Sequence, residues 1–429
     1  MGSSETTDSV PETGRIATLD IVRGVAVLGI LAMNAVDFGM PQQAYVNPLA
    51  YGNEGPLDFA SWLLSFLIFD GKMRGLFTFL FGASLLLVIE RAEAKAESGD
   101  SVHFRRMGWL AAIGLLHYYF IWHGDILFGY AIAGITAWFF RHAGAGRLVR
   151  IGIALILVQF LLLASGAAAY LMAAAEVARG TAEPGAVELL TGIQQSFGVP
   201  GAEVLRDTLA TYRGSYAAIV AHRLTDSPLW PFEALYMLGW ETTGYMLFGM
   251  AALKNGFFIG SWTREAYRRT ALIGFGLSIP AYALLAGWMI STGFEGATVY
   301  AAWFAATTLV RPLAVIATAA LIILLTVRGG AWVGRLAAAG RAAFTNYLGA
   351  SLIMTTLFYG YGLGLYGHLS RAELWLVVLP MWGLMLLWSK PWLERFEYGP
   401  LEWLWRSLSR GKLQPMRRRW QSGLDSASS

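Results

Sequence analysis

Ten apolar runs separated by short polar connections dominate the chain: residues 16–37, 73–90, 104–122, 125–140, 148–175, 231–253, 270–290, 301–327, 342–364 and 372–390. A helix needs about 20 apolar residues to cross a bilayer. No run shows the two-residue alternation of a membrane barrel, so the pattern predicts an all-α, polytopic bundle of about ten transmembrane helices. A further apolar stretch, Leu57–Phe69, is too short to span and runs into the break Asp70-Gly71-Lys72-Met73-Arg74. It predicts an interfacial or re-entrant helix on the outer face. No internal repeat of the kind found in many transporters is present.

Polar positions inside these runs are the informative ones, because an ionisable group in lipid costs about 3 kcal/mol at mid-span and by default marks function. The first run carries Asp20 and Arg23 three residues apart, on one helix face. Eleven residues make about three turns, which puts Asn34 on the Arg23 face about 16 Å further along. Glu241 and Arg311 each lie about ten residues into their runs, so both fall about 15 Å deep. Opposite charges at one depth predict a pair, either a functional site or a buried structural ion pair. The stretch Leu116-His117-Tyr118-Tyr119-Phe120-Ile121-Trp122-His123-Gly124-Asp125 ends a span. His117 and His123 are about 240° apart round a helix, which argues against a shared metal. His123 and Asp125 would form an outer turn, where the Asp either orients a general base or caps the next helix. His103, His142, His222 and His368 fall in connections and are expected to be solvated.

Charge fixes the orientation. The connections 91–103, 141–150, 254–269 and 328–341 and the C-terminal tail are basic. With ten crossings all of them lie inside, which predicts both termini in the cytoplasm. The segment 176–230 is then a sizeable outer loop. In it Leu205, Leu209, Tyr212, Tyr216, Ile219 and Leu224 recur at helical spacing, predicting one amphipathic helix that either lids a cavity or packs on neighbouring loops. The first fourteen residues are polar, read as disordered, and show no signal-peptide charge pattern.

Composition agrees. Of 429 residues, 56% are hydrophobic and only 14% charged, well under the quarter usual in soluble domains. Cysteine is absent, excluding disulfides and thiol nucleophiles. No His-Glu-x-x-His motif occurs, and no metal is expected. The glycine-rich Tyr359–Gly364 lacks a phosphate lysine and is no nucleotide loop. The net charge of +4 sits in short loops and the C-terminal tail, so membrane lipids rather than nucleic acid are the expected partners.

Several blocks resemble the bacterial YeiB family: Arg15 with Leu19–Ala26 and Asn34; Phe69–Arg74 with Leu80–Ala83; Leu115–His117 through Gly124–Leu127; Gly340–Leu348, with Arg341 and Asn346, and Ser351; and Phe396–Arg406. The resemblance covers residues 15–418. It implies a bacterial inner-membrane protein whose C-terminal blocks belong to a domain of unknown function. The opening is also similar to a wider group of membrane acyltransferases, which move acyl groups across the membrane onto sugars. That group reads Asp-x-x-Arg with a His eleven residues after the Arg. Here Asp20 and Arg23 match, while Asn34 stands at the His position and is no general base.

The chain thus divides into a tail (1–14), an acyltransferase-like membrane region (15–175), the outer loop (176–230), a C-terminal membrane domain (231–412) and a basic tail (413–429). One reading is an acyltransferase. Arg23, with Arg311 or Arg341, would bind the anionic part of a donor such as acyl-coenzyme A. Asn34 would orient a carbonyl or hydroxyl, Asn346 would contribute to substrate binding, and His117 or His123, with Asp125, would take a proton. Another is a transporter with Asp20, Arg23, Glu241 and Arg311 along the path of a small polar or amphiphilic solute. A third is a non-catalytic lipid- or quinone-binding protein.

Overall fold

The computed structural model describes residues 16–418. The tail 1–14 and the last residues of the basic tail lie outside them. The described residues are helical throughout apart from connections, with no strand among them.

The helices run α1 (Ala17–Gly39), α2 (Pro56–Leu64), α3 (Lys72–Glu93), α4 (Gly99–Phe120), α5 (Leu127–Trp138), α6 (Ala145–Arg179), α7 (Pro184–Phe197), α8 (Ala202–Tyr212) and α9 (Tyr216–Thr225). They continue with α10 (Trp230–Lys254), α11 (Arg264–Ser291), α12 (Gly296–Val299), α13 (Thr307–Thr326), α14 (Ala331–Arg341), α15 (Ala343–Phe358), α16 (Trp375–Arg395) and α17 (Pro400–Arg410). Six helical stretches among the described residues are long and apolar enough to cross a membrane: α1, α2 with α3, α6, α11, α12 with α13, and α16. The other predicted spans form helices too, as α4, α5, α10 and α15, but shorter or less apolar ones. Part of the reason is position. In α10 every residue from Glu241 to Ala252 is buried, so this half of the helix faces protein rather than lipid and has no need of a uniformly apolar surface.

The most apolar window of α1 is 78% buried, against 28% for those of α6, α11 and α16. α1 is therefore the axis of the bundle and the other three form its rim. α3, α14 and α15 pack on α1, while α10 lies among α3, α5 and α6. Where α1 meets α14, a Cβ on Gly24 would fall 2.1 Å from the Leu336 carbonyl oxygen, and one on Gly340 would strike the Asp20 carbonyl. Only glycine at these crossing points allows the backbones to touch.

Two expectations need correction. The amphipathic helix expected over 205–224 is two helices, α8 and α9, broken at Arg213-Gly214. Ser215 starts α9 as its N-cap, accepting from the Ala218 N–H at 3.3 Å. Of the expected apolar face only Tyr212 and Ile219 are buried. His103, expected in solvent, is buried in α4, because the helix begins at Gly99 rather than near residue 104.

Candidate functional site

α4 ends at Phe120 and the chain turns through Trp122-His123-Gly124-Asp125 before α5. The turn folds Asp125 back beneath the last turn of α4. Its Oδ2 accepts the Phe128 N–H at 2.9 Å, capping α5, and its Oδ1 lies 2.9 Å from Nδ1 of His117. Asp125 therefore orients His117, not its neighbour His123. The His117 side chain is 1% exposed, and its Nε2 is buried with no protein partner. An Asp on Nδ1 favours the tautomer that leaves a lone pair on Nε2, the state a general base requires.

His123 has a different carboxylate. Its Nε2 lies 3.0 Å from Oδ2 of Asp37 on α1, off the hydrogen-bond direction, and its Nδ1 is 3.4 Å from the Tyr212 hydroxyl of α8. Trp122 stands between the two histidines and stacks on Phe38 at 4.0 Å. Tyr212 closes this end of the bundle against Tyr366 and Tyr359, with ring centroids 4.8 and 5.1 Å away. Arg223 of α9 is buried behind them.

Asn34 lines a small cavity of about 10 Å³ with Phe38, Tyr347 and Ser351. The Tyr347 ring also packs 5.4 Å from His117, and its hydroxyl donates to the Gly124 carbonyl at 3.2 Å. Tyr347 thus links the α1 stripe to the histidine pair. On the far side, Asp125 lines a cleft of about 50 Å³ with Arg74, Tyr118, Tyr130, Trp230 and Thr242. Pockets for ligands are usually 300 Å³ or more. Both spaces are far smaller than that.

Glu241 and Arg311 do pair, at 2.5 Å, and Arg74 of α3 joins them at 2.7 Å. Arg311 also donates to Thr307 at 2.6 Å. The Glu241 side chain is 1% exposed and that of Arg311 5%. The helix around Arg311 is irregular: Tyr300–Ala306 forms a π-helical segment whose Trp303 carbonyl accepts the Thr307 hydroxyl. The break at 70–72 completes the cluster. Lys72 is buried, donating to the Phe66 carbonyl at 2.9 Å and lying 3.3 Å from the Tyr282 ring centroid. Gly71 adopts φ +58°, and a Cβ there would sit 2.2 Å from Arg311 Nε. Oδ2 of Asp70 and the hydroxyls of Tyr245 and Tyr282 are buried without a protein partner.

The remaining predicted residues lie elsewhere. Asp20 and Arg23 contact each other at 3.3 Å, and Arg23 donates to Ser84 at 2.6 Å. Arg341 donates to the Glu397 carbonyl at 3.3 Å. The Asn346 amide joins α15 to α14 and α16, donating to the Ala339 carbonyl and Ser389 and accepting from Trp388 at 2.8 Å. Among the described residues no group of three or more His, Asp or Glu side chains could hold a metal.

Sequence reasoning missed Asp37, Arg74, Lys72 and Arg223. Asp37 had a signal, since it continues the Arg23–Asn34 face one turn on. Arg74 had none, because a basic residue at a span's start reads as one reaching for the interface.

Known proteins extend the account. Residues 252–412 match a family described as "Protein of unknown function (DUF418)". The Escherichia coli K12 "Uncharacterized protein YeiB" is 33% identical over 408 residues, covering 92% of this chain and 96% of that protein. The Bacillus subtilis 168 "Uncharacterized protein YxaH" is 28% identical over 424 residues, covering 94% and 96%. No solved structure matches the chain. Matching YeiB at 33% identity over nearly its full length, and matching DUF418 over residues 252–412, the chain belongs to the YeiB-like family.

Proposed function

We propose that this is a bacterial inner-membrane enzyme of the acyl-transfer type, crossing the bilayer ten times with both termini in the cytoplasm. The observation that carries the reading is the His117–Asp125 pair, a buried imidazole fixed at Nδ1 with Nε2 unpartnered. Asn34 occupies the position where similar acyltransferases have a His, and His117 supplies from α4 the base that Asn34 is not. His117 Nε2 takes the proton of an acceptor hydroxyl as its oxygen attacks the acyl carbonyl, and that proton passes to the departing thiolate of the donor. Asn34 orients the carbonyl or hydroxyl, and Arg23 holds the donor's anionic part at the inner end of α1. Arg311 is engaged with Glu241 and Thr307, which favours a structural role for it over donor binding.

The rival reading, transport of a small polar solute, draws on the Arg74–Glu241–Arg311 cluster and the unpartnered polar atoms round it. Mass spectrometry of what co-purifies with gently solubilised protein, compared with Arg23→Ala, separates the two. A coenzyme A ester lost in the variant supports acyl transfer. An unmodified solute, or bulk lipid alone, contradicts it.

A further inference from the structure

Arg223 of α9 is a buried cation that the account so far leaves unused, with a side chain only 2% exposed. Its Nη1 makes two long contacts, both 3.5 Å, to the carbonyls of Tyr118 and Tyr119, the residues that follow His117 on α4. Its Nε and Nη2 have no protein partner. Three acids are nearby. Asp37 lies against His123, Asp226 against His222, and Glu233 within electrostatic reach of Tyr118. Among the described residues none of the three makes an ion pair with Arg223. A guanidinium is always charged, and burying one without a carboxylate is costly.

The two unsatisfied atoms belong together. Nε–H and the neighbouring Nη2–H point the same way in the guanidinium plane and form the edge that takes both oxygens of a carboxylate. The opposite side, Nη1, is the one turned to the α4 carbonyls. Tyr359 stands beside the guanidinium, its ring centroid 6.0 Å away and its buried hydroxyl unpartnered. The Tyr212 hydroxyl also approaches Arg223, without satisfying Nε or Nη2. α8 and α9 bury only Tyr212, Ile219 and Arg223. Polar contacts tie them down, Arg213 donating to the Tyr366 carbonyl and Tyr216 to the Phe120 carbonyl, each at 2.8 Å. Segments that bury so little open at low cost, which gives a small ligand its way in.

We propose that the free edge of Arg223, with the Tyr359 hydroxyl, binds the carboxylate of a small organic acid. One negative charge matches one guanidinium. A phosphate monoester would bring nearly two, beside the Asp37 carboxylate that acts on Tyr212 and Tyr359. A phospholipid diester would have to thread two ester chains beneath α8 and α9, where a carboxylate threads one substituent. The placement of the site on the outer face rests on the topology given above. Its chemistry rests on the guanidinium edge and survives failure of acyl transfer, in which it would anchor an acidic acceptor at the His117 end of α4.

The test is calorimetric titration of butyrate and benzoate into the full chain in phosphatidylcholine nanodiscs, with benzamide as the neutral counterpart, and native mass spectrometry of retained lipid in phosphatidylglycerol nanodiscs. The variants are Arg223→Gln, Arg223→Lys, which keeps the charge and loses the two-pronged edge, and Arg206→Gln, a control on α8 whose side chain is 72% exposed. Binding of either carboxylate that weakens at least tenfold in both Arg223 variants and not in the control, with none for benzamide, supports the site. Absence of carboxylate binding in the wild type overturns it whether or not a variant folds. So does binding that Arg223→Gln or Arg223→Lys leaves intact, or benzamide bound as tightly as benzoate. Phosphatidylglycerol retained by the wild type and lost in Arg223→Gln, without carboxylate binding, overturns it in favour of a lipid site. His117→Gln is expected to bind the carboxylates as the wild type does, which separates this site from the acyl-transfer chemistry.

Discussion

Glu241→Gln is the substitution whose cost follows most directly from the geometry. The carboxylate takes Arg311 at 2.5 Å on one oxygen and Arg74 at 2.7 Å on the other, in a site that is nearly closed to solvent. A hydrogen bond to a charged group contributes about 1.5–3 kcal/mol, and breaking a buried pair from one side costs about 3–5 kcal/mol. Gln keeps one acceptor but turns an NH₂ group toward the other guanidinium. One arginine loses its partner while the buried Arg311, the partly exposed Arg74 and the buried Lys72 face Asp70 alone. The expected loss is about 3 kcal/mol for Gln and about 5 kcal/mol for Ala. Unfolding by SDS in mixed micelles, followed by tryptophan fluorescence, measures it. Adding Arg311→Met to Glu241→Gln should recover part of the loss, giving a coupling of about 2 kcal/mol or more. A loss under about 1 kcal/mol, or simple additivity, would show that the three groups are not held together as described.

Gly71→Ala is expected to destabilise by about 2–4 kcal/mol in the same assay, since it combines a left-handed backbone with a methyl group driven against Arg311. Asp125→Asn should fold, because the amide oxygen can still cap α5, but should lose acyl transfer at least 100-fold through the wrong His117 tautomer; wild-type activity in this variant would remove Asp125 from the mechanism. Glu402 of α17 accepts the Phe344 and Thr345 N–H groups at 2.6 and 3.1 Å and the Thr345 hydroxyl at 2.5 Å. Glu402→Ala should cost about 2–3 kcal/mol and Glu402→Gln clearly less, read by thermal melting; equal losses would show that charge, not capping, matters there.

The helices were legible because apolar runs of this length admit little else, and Glu241–Arg311 was legible because depth can be counted from a span's start. The partners that complete each site were not. Asp125 reaches His117 across eight residues and a helix end, a distance that periodicity does not encode. Arg74 depends on where α3 begins, which the turn at Asp70-Gly71 decides. Glu402 caps a helix that starts nearly sixty residues earlier in the chain. The break between α8 and α9 did have its signals, a glycine followed by the N-cap Ser215, but the apolar spacing ran through them. Local pattern fixed the elements, and packing at their ends made the sites.

The most direct test of the central claim is transfer of label from radiolabelled acetyl-coenzyme A to a total membrane extract by the purified protein in nanodiscs, with His117→Gln beside it at matched melting temperature. The account predicts a labelled acceptor with the wild type and at least a 100-fold loss in the variant. Equal labelling by both would contradict the role of His117, and no labelling by the wild type with short- or long-chain donors would contradict acyl transfer itself.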